Sequence, residues 1–147
     1  MRVESAIPAD LITGACLCEG VRFEVTPPTK WCAHCHCSMC RRAHGAGVVT
    51  WFGVHSASFQ LTAGAELLQW YQSSSDARRG FCSQCGSTLF FEGARWAGET
   101  HIARASVAGK IDREPTAHAY FDMHVEWMEF NDSLRKLGGV SGTAPLA

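Results

Sequence analysis

The chain has 147 residues, 46% of them hydrophobic, and a net charge of −1, which suits one domain over residues 1–147 with a real core. So balanced a charge gives nothing to steer it toward nucleic acid or an anionic membrane, and its apolar runs are too short to cross a bilayer. Met1-Arg2-Val3-Glu4-Ser5 lacks the apolar stretch of a signal peptide, so a soluble, cytoplasmic protein is expected.

In chain order, Val21-Arg22-Phe23-Glu24-Val25 alternates apolar and polar residues and reads as a half-buried strand, closed by Pro27-Pro28. Residues 38–44 can form a short helix. Residues 48–54, 59–61 and 67–71 are β-branched and aromatic runs that read as strands. Ser73-Ser74-Ser75-Asp76 is a polar turn. Strands are expected to lead into Cys82 (residues 79–81) and away from Cys85 (88–91), with another over 101–107 closing at Gly109. Residues 119–121 and 125–127 add short extended pieces. Asn131 is placed to cap a helix over residues 132–137, stopped by Gly138-Gly139, and residues 141–147 read as a frayed tail. Many short strands between glycine-rich turns predict a mainly β, antiparallel fold with a few short helices.

Eight cysteines are far more than ordinary usage supplies. Without a signal peptide, metal ligation is favoured over disulfides. The tight pairs Cys16-x-Cys18, Cys35-x-Cys37 and Cys82-x-x-Cys85 can each turn two sulfurs toward one ion. Cys16 and Cys18 share a strand face, and flanking Gly14 and Gly20 permit the bend that converges them. With Cys82 and Cys85, followed by Gly86, they complete a four-thiolate structural zinc site.

Residues 32–42 hold Cys32, Cys35, Cys37 and Cys40. If all four bind, the second site is closed and structural. If only Cys35, Cys37 and Cys40 bind, one position stays open, as catalytic zinc requires. His34, His36 and His44 are further ligand candidates. A three-thiolate zinc is already anionic and suits exchange of one soft sulfur ligand for another. A thiol bound there would be deprotonated yet poised to attack a carbonyl. Arg41 and Arg42 could offset the negative charge or grip substrate carboxylates. Trp51, Phe52, Trp70, Phe90, Phe91, Trp96 and Trp127 read mostly as core, with Trp96 the most exposed.

Three motifs, Gly14-x-Cys16-x-Cys18-x-Gly20-Val21-x-Phe23, Cys35-His36-Cys37-Ser38-x-Cys40-Arg41 and Phe81-Cys82-x-x-Cys85-Gly86-Ser87-x-Leu89, resemble the glutathione-dependent formaldehyde-activating enzyme family, which also includes centromere protein V. Gly109-x-Ile111-Asp112, His118 and Trp127 resemble its C-terminal half more loosely. The resemblance implies a β-tent of antiparallel sheets. It implies two zinc ions per chain, a structural one on Cys16, Cys18, Cys82 and Cys85 and a catalytic one on Cys35, Cys37 and Cys40. It implies carbon–sulfur lyase chemistry, joining glutathione, or another thiol, to formaldehyde or a related aldehyde. His36, His101 and His118 are candidate proton donors. The competing expectation is a non-catalytic interaction module in which Cys32 closes the second site.

Overall fold

The computed structural model describes residues 10–146. The segment read for a signal peptide, residues 1–5, and the last residue of the expected tail, Ala147, lie outside them. In chain order come β1 (Ile12–Ala15), β2 (Arg22–Val25), β3 (Trp31–Cys35), α1 (Ser38–His44), β4 (Val49–His55), β5 (Phe59–Ala63) and β6 (Leu68–Ser74). They are followed by β7 (Ala77–Cys82), β8 (Thr88–Gly93), β9 (Glu99–Ala103), β10 (Ala117–Ala119), β11 (Arg135–Gly138) and β12 (Ala144–Pro145). A three-stranded sheet runs β1-β2-β5, and a nine-stranded sheet runs β12-β11-β10-β3-β4-β9-β8-β7-β6. The fold is mainly β, as expected. Most pairs are antiparallel, but β10 lies parallel to both β3 and β11.

The large sheet divides its two faces by the period-two alternation of strand side chains. One row crosses it as Cys32, Phe52, Ile102, Phe90, Gly80 and Trp70, each residue registered with the next. Cys32, Phe52, Ile102 and Phe90 are buried to within 1% and form the main core with Phe23 and Val25 of the small sheet. Burying a side chain of this size contributes about 1.5–3 kcal/mol. The adjacent row, Trp31, Gly53, His101, Phe91 and Arg79, faces the other way. Gly53 has no side chain because the Trp31 indole lies over it: a Cβ there would sit 2.2 Å from Nε1.

Several expected elements differ. Residues 132–137 do not form a helix. Asp132 accepts from Leu134 N–H and from His118, Arg135 and Lys136 pair with β10, and Leu137 is buried. Cross-strand pairing with burial of its one large apolar side chain overrides the weak capping signal. The tail is not wholly frayed, since Ala144–Pro145 pairs with Leu137 and Gly138. The strand expected over 101–107 stops at Ala103, where the Ser106 hydroxyl donates to Ala103 O and Arg104–Ser106 turns as a 3-10 helix. The extended pieces at 119–121 and 125–127 are interrupted by left-handed Tyr120 (φ 53°), a 3-10 turn at Phe121–Met123 and a turn at 126–127. Ser73 and Ser74 belong to β6 rather than to the turn.

Candidate metal centres and cleft

Cys16 and Cys18 sit in the β1–β2 loop; Cys82 ends β7 and Cys85 lies in the loop to β8. All four sulfurs lie within 4.8 Å of one another, with Cys16 and Cys18 3.5 Å apart and Cys18 and Cys82 3.8 Å apart. Neither flanking glycine takes a left-handed conformation; the turn that carries the first two is closed instead by Glu19, at φ 62°. Its N–H donates to Cys16 O. Gly86, at φ 79°, turns the second loop so that its N–H reaches Cys82 O. Ser87 joins the loops: its hydroxyl accepts from Leu17 N–H and lies 3.2 Å from Cys85 Sγ. Hydrogen bonds from the Ser87 hydroxyl and N–H lower the Cys85 thiol to about 5.

Cys35 ends β3, Cys37 is the N-cap of α1 and Cys40 lies in its first turn. The Cys37 sulfur accepts from Cys40 N–H at 3.2 Å, so the cap that starts the helix also aims the sulfurs. Their three Sγ atoms lie within 4.8 Å of one another. Hydrogen bonds from Cys35 and Cys40 pull Cys37 well below an ordinary thiol, while the same crowding pushes Cys35 up. Three thiolates this close need a cation among them.

One cation is built in, and sequence reasoning missed it. Arg79, 6% exposed, donates from Nη1 and Nη2 to Cys40 Sγ at 3.6 and 3.7 Å. Its guanidinium lies 5.1 Å from the Phe91 ring centroid. Burying a guanidinium is costly unless it meets an anion, so its placement fits an ionised sulfur cluster that also accepts a soft cation. Arg41, expected in this role, instead donates from Nε to His36 O, and Arg42 is exposed. Arg79 is the second of two adjacent arginines in β7, where strand alternation leaves Arg78 exposed and turns Arg79 inward.

Cys32 does not close this second cluster. It differs in parity from Cys35 on β3, faces the core and packs with Phe52 and Val54. The expected pair of closed four-cysteine sites is thereby overturned. None of the candidate histidines joins the sulfurs either. His34 Nδ1 meets Thr50 Oγ1 at 2.7 Å, and His44 packs edge-on to Trp51. His36 is fully buried and bonds through Nε2 to Nδ1 of His118 at 2.8 Å. His118 Nε2–H donates to Asp132 at 2.9 Å. Burial holds His36 neutral, down at about 4, so protons point along the chain from His36 to His118 to Asp132. This chain braces the Cys35-His36-Cys37 segment from behind.

Beside Cys35, Cys37 and Cys40 opens a cleft of about 660 Å³. His101 lines it; His36 and His118 do not. Glu99 accepts from Lys30, Trp31 Nε1 and His101 Nε2. Although burial opposes it, these bonds hold its carboxyl below the usual range. Tyr120 also lines the cleft, in the left-handed conformation that non-glycine residues seldom adopt. Gly142 fixes its ring, since a Cβ there would meet Cε2 at 2.1 Å. Burial raises the phenol's pKa, and the charges of Cys35 and Cys37 push it further against the pull of Arg95. Of the looser C-terminal motif, Asp112 accepts from Thr29 N–H and Oγ1, whereas Trp127 is 72% exposed and outranks half-buried Trp96.

Fold and cysteines together define a mainly β protein with two thiol-rich clusters able to hold metal, one of them opening to a cleft. The model of the glutathione-dependent formaldehyde-activating enzyme family matches residues 11–123, and the chain belongs to that family. It is 30% identical over 126 residues to a Halomonas elongata protein that carries the provisional name of glutathione-dependent formaldehyde-activating enzyme, covering 81% of this chain and 80% of that one. The crystal structure of a Rhodobacter sphaeroides protein matches with a TM-score of 0.58 at 27% identity, over 69% of this chain and 93% of that one. Among the described residues no helix is long and apolar enough to cross a membrane.

Proposed function

We propose that this protein reversibly joins a thiol to an aldehyde through a carbon–sulfur bond, the chemistry of a carbon–sulfur lyase. In this reading Cys35, Cys37 and Cys40 hold a catalytic zinc, and Cys16, Cys18, Cys82 and Cys85 hold a structural one. Glutathione and formaldehyde, the pair in the family's name, are its substrates, giving S-(hydroxymethyl)glutathione. The observation that carries the reading is a three-sulfur cluster, with its own buried counter-cation, facing a cleft large enough for a tripeptide thiol. Eight unbridged cysteines suit a reducing compartment such as the cytoplasm.

Zinc bound there supplies a soft Lewis acid that keeps a substrate thiol ionised at neutral pH. Arg79 offsets the negative charge of the sulfurs through Cys40. At the rim, exposed Arg95 and Arg135 are placed for the carboxylates of a peptide thiol. As sulfur adds to the carbonyl carbon, the carbonyl electron pair moves to oxygen and needs a proton. We assign that donation to Tyr120, whose phenol stays protonated in the field of Cys35 and Cys37. The proton released by the thiol restores it, so the net reaction neither gains nor loses one. His101, held by Glu99, orders the far side of the cleft.

Exchange NMR of the glutathione–formaldehyde adduct, with and without zinc-loaded protein, tests the reading. Acceleration that disappears in Cys40→Ala is expected; exchange no faster than in free solution overturns it.

A further inference from the structure

The cleft carries an aromatic wall that a one-carbon aldehyde does not need. Trp51 packs on Cys40, with Cys35, Cys37 and Phe91 beside it. From there the rings continue: Trp51 to Phe91 at 6.3 Å, Phe91 to Trp96 at 5.8 Å, and Phe91 stacked with His101 at 5.6 Å and 27°. Trp31 closes the row edge-on to His101 at 4.6 Å. The aromatic wall therefore starts at the sulfurs and ends at the Glu99 carboxylate.

The wall is also held in place before any ligand arrives. The Trp31 indole N–H donates to Glu99 at 3.1 Å, and Lys30 holds the other carboxylate oxygen at 2.9 Å. Gly53 leaves the Trp31 ring its seat. Ordered rings lose little freedom on binding, so their contact area converts into affinity. The charged lining groups other than Arg79, namely Asp76, Arg95 and Arg135, are exposed. They suit the ammonium and carboxylates of a peptide thiol at the rim. That leaves the inner wall to a flat, apolar group, which neither glutathione nor formaldehyde supplies.

We infer that the aldehyde partner carries an aromatic ring, seated against Trp51, Phe91 and Trp96, with its carbonyl carbon at the three sulfurs. This rests on the thiol–aldehyde reading and extends its substrate class. The step balances without a redox partner. The thiol S–H is lost, a carbon–sulfur bond forms, the carbonyl π bond opens, and the proton ends on the new hydroxyl. Stacking on ring faces and edges favours an aromatic guest over an aliphatic one.

Two measurements on the zinc-loaded full chain test it. Exchange NMR compares glutathione with benzaldehyde against glutathione with formaldehyde. Saturation-transfer NMR follows benzyl alcohol, which has the ring but cannot add a thiol. The expected results are a kcat/KM for benzaldehyde about tenfold or more above that for formaldehyde, and saturation of the benzyl alcohol signals. Trp96→Ala, a change in a half-buried turn residue, should lower the benzaldehyde-to-formaldehyde ratio about tenfold, mainly through KM. Phe91→Leu keeps an apolar side chain and should act in the same direction. Formaldehyde exchange without benzaldehyde exchange or benzyl alcohol saturation overturns the inference and leaves the thiol–aldehyde reading standing. Benzyl alcohol saturation that is lost in Trp96→Ala, with neither aldehyde exchanging, supports the aromatic site and removes the reaction assigned to it.

Discussion

The two cysteine clusters use the same ligand atom in opposite settings. Cys16, Cys18, Cys82 and Cys85 bring together two loops far apart in sequence, with Cys18 exposed and Ser87 serving both sides. The four sulfurs, the number of ligands a closed tetrahedral zinc site uses, lie within 4.8 Å of one another. Cys35, Cys37 and Cys40 come from one short segment. They lie against Trp51, meet a buried arginine and face a cleft. The first cluster draws its sulfurs from distant parts of the chain and the second from one segment beside a cleft, which is the contrast on which the proposed structural and catalytic roles rest. Ligand number and surroundings, more than ligand chemistry, separate the two roles.

The sharpest break between them is removal of a ligand. Cys82→Ala should abolish one bound zinc and lower the melting temperature drastically, because structural zinc binding contributes on the order of 10 kcal/mol to folding. Cys40→Ala should abolish the other zinc and cost about 3–5 kcal/mol, since it leaves buried Arg79 without its partner, still well short of the loss in Cys82→Ala. Metal content and a thermal melt followed by circular dichroism check both. Equal losses of stability would erase the distinction.

Arg79→Met comes next. Breaking a buried ion pair costs about 3–5 kcal/mol, and this pair belongs to one cluster alone. Chelator competition should show weaker metal binding at the three-cysteine site with the four-cysteine site unmoved. Tyr120→Phe keeps the ring against Gly142 and removes only the hydroxyl. It should lower kcat roughly 100-fold with little change in KM or metal content.

A smaller effect is expected from pH. His36 and His44 are each pushed from 6.5 to about 4, first by burial. Between those values the unfolded chain binds protons that the folded chain refuses. Stability should therefore be full above pH 6.5, fall as pH drops from 6.5 toward 4, and level below. The sign follows from linkage, because below the unfolded value protonation is opposed only in the folded state. Urea melts across that range measure it, and a flat profile would contradict the burial assigned to these rings. The smallest effect belongs to Cys32→Val, which should cost about 1 kcal/mol and leave both zinc ions bound.

Much of this was legible in the sequence, because cysteine spacing and strand alternation are local signals. The helix over residues 38–44 and most strands of the central sheets were legible from neighbouring residues, and the structure brings together Cys16, Cys18, Cys82 and Cys85 in one group and Cys35, Cys37 and Cys40 in another. The fate of Cys32 was not, although the parity rule that separates it from Cys35 was available once β3 was recognised. Arg79, Tyr120 and Glu99 escaped notice because their roles come from cross-strand register and contacts distant in the chain, which no short motif records. The expected helix over residues 132–137 failed for the same reason: its residues are claimed by β10 and His118, distant in the chain.

The central claim, that one cluster is open to a thiol and the other closed, is tested most directly by cobalt substitution. The cobalt-loaded protein would be titrated with glutathione and its sulfur-to-cobalt absorption followed. The account predicts a spectral change that saturates at one thiol per chain and vanishes in Cys40→Ala. A spectrum that glutathione leaves unchanged, with two cobalt ions bound, would contradict it.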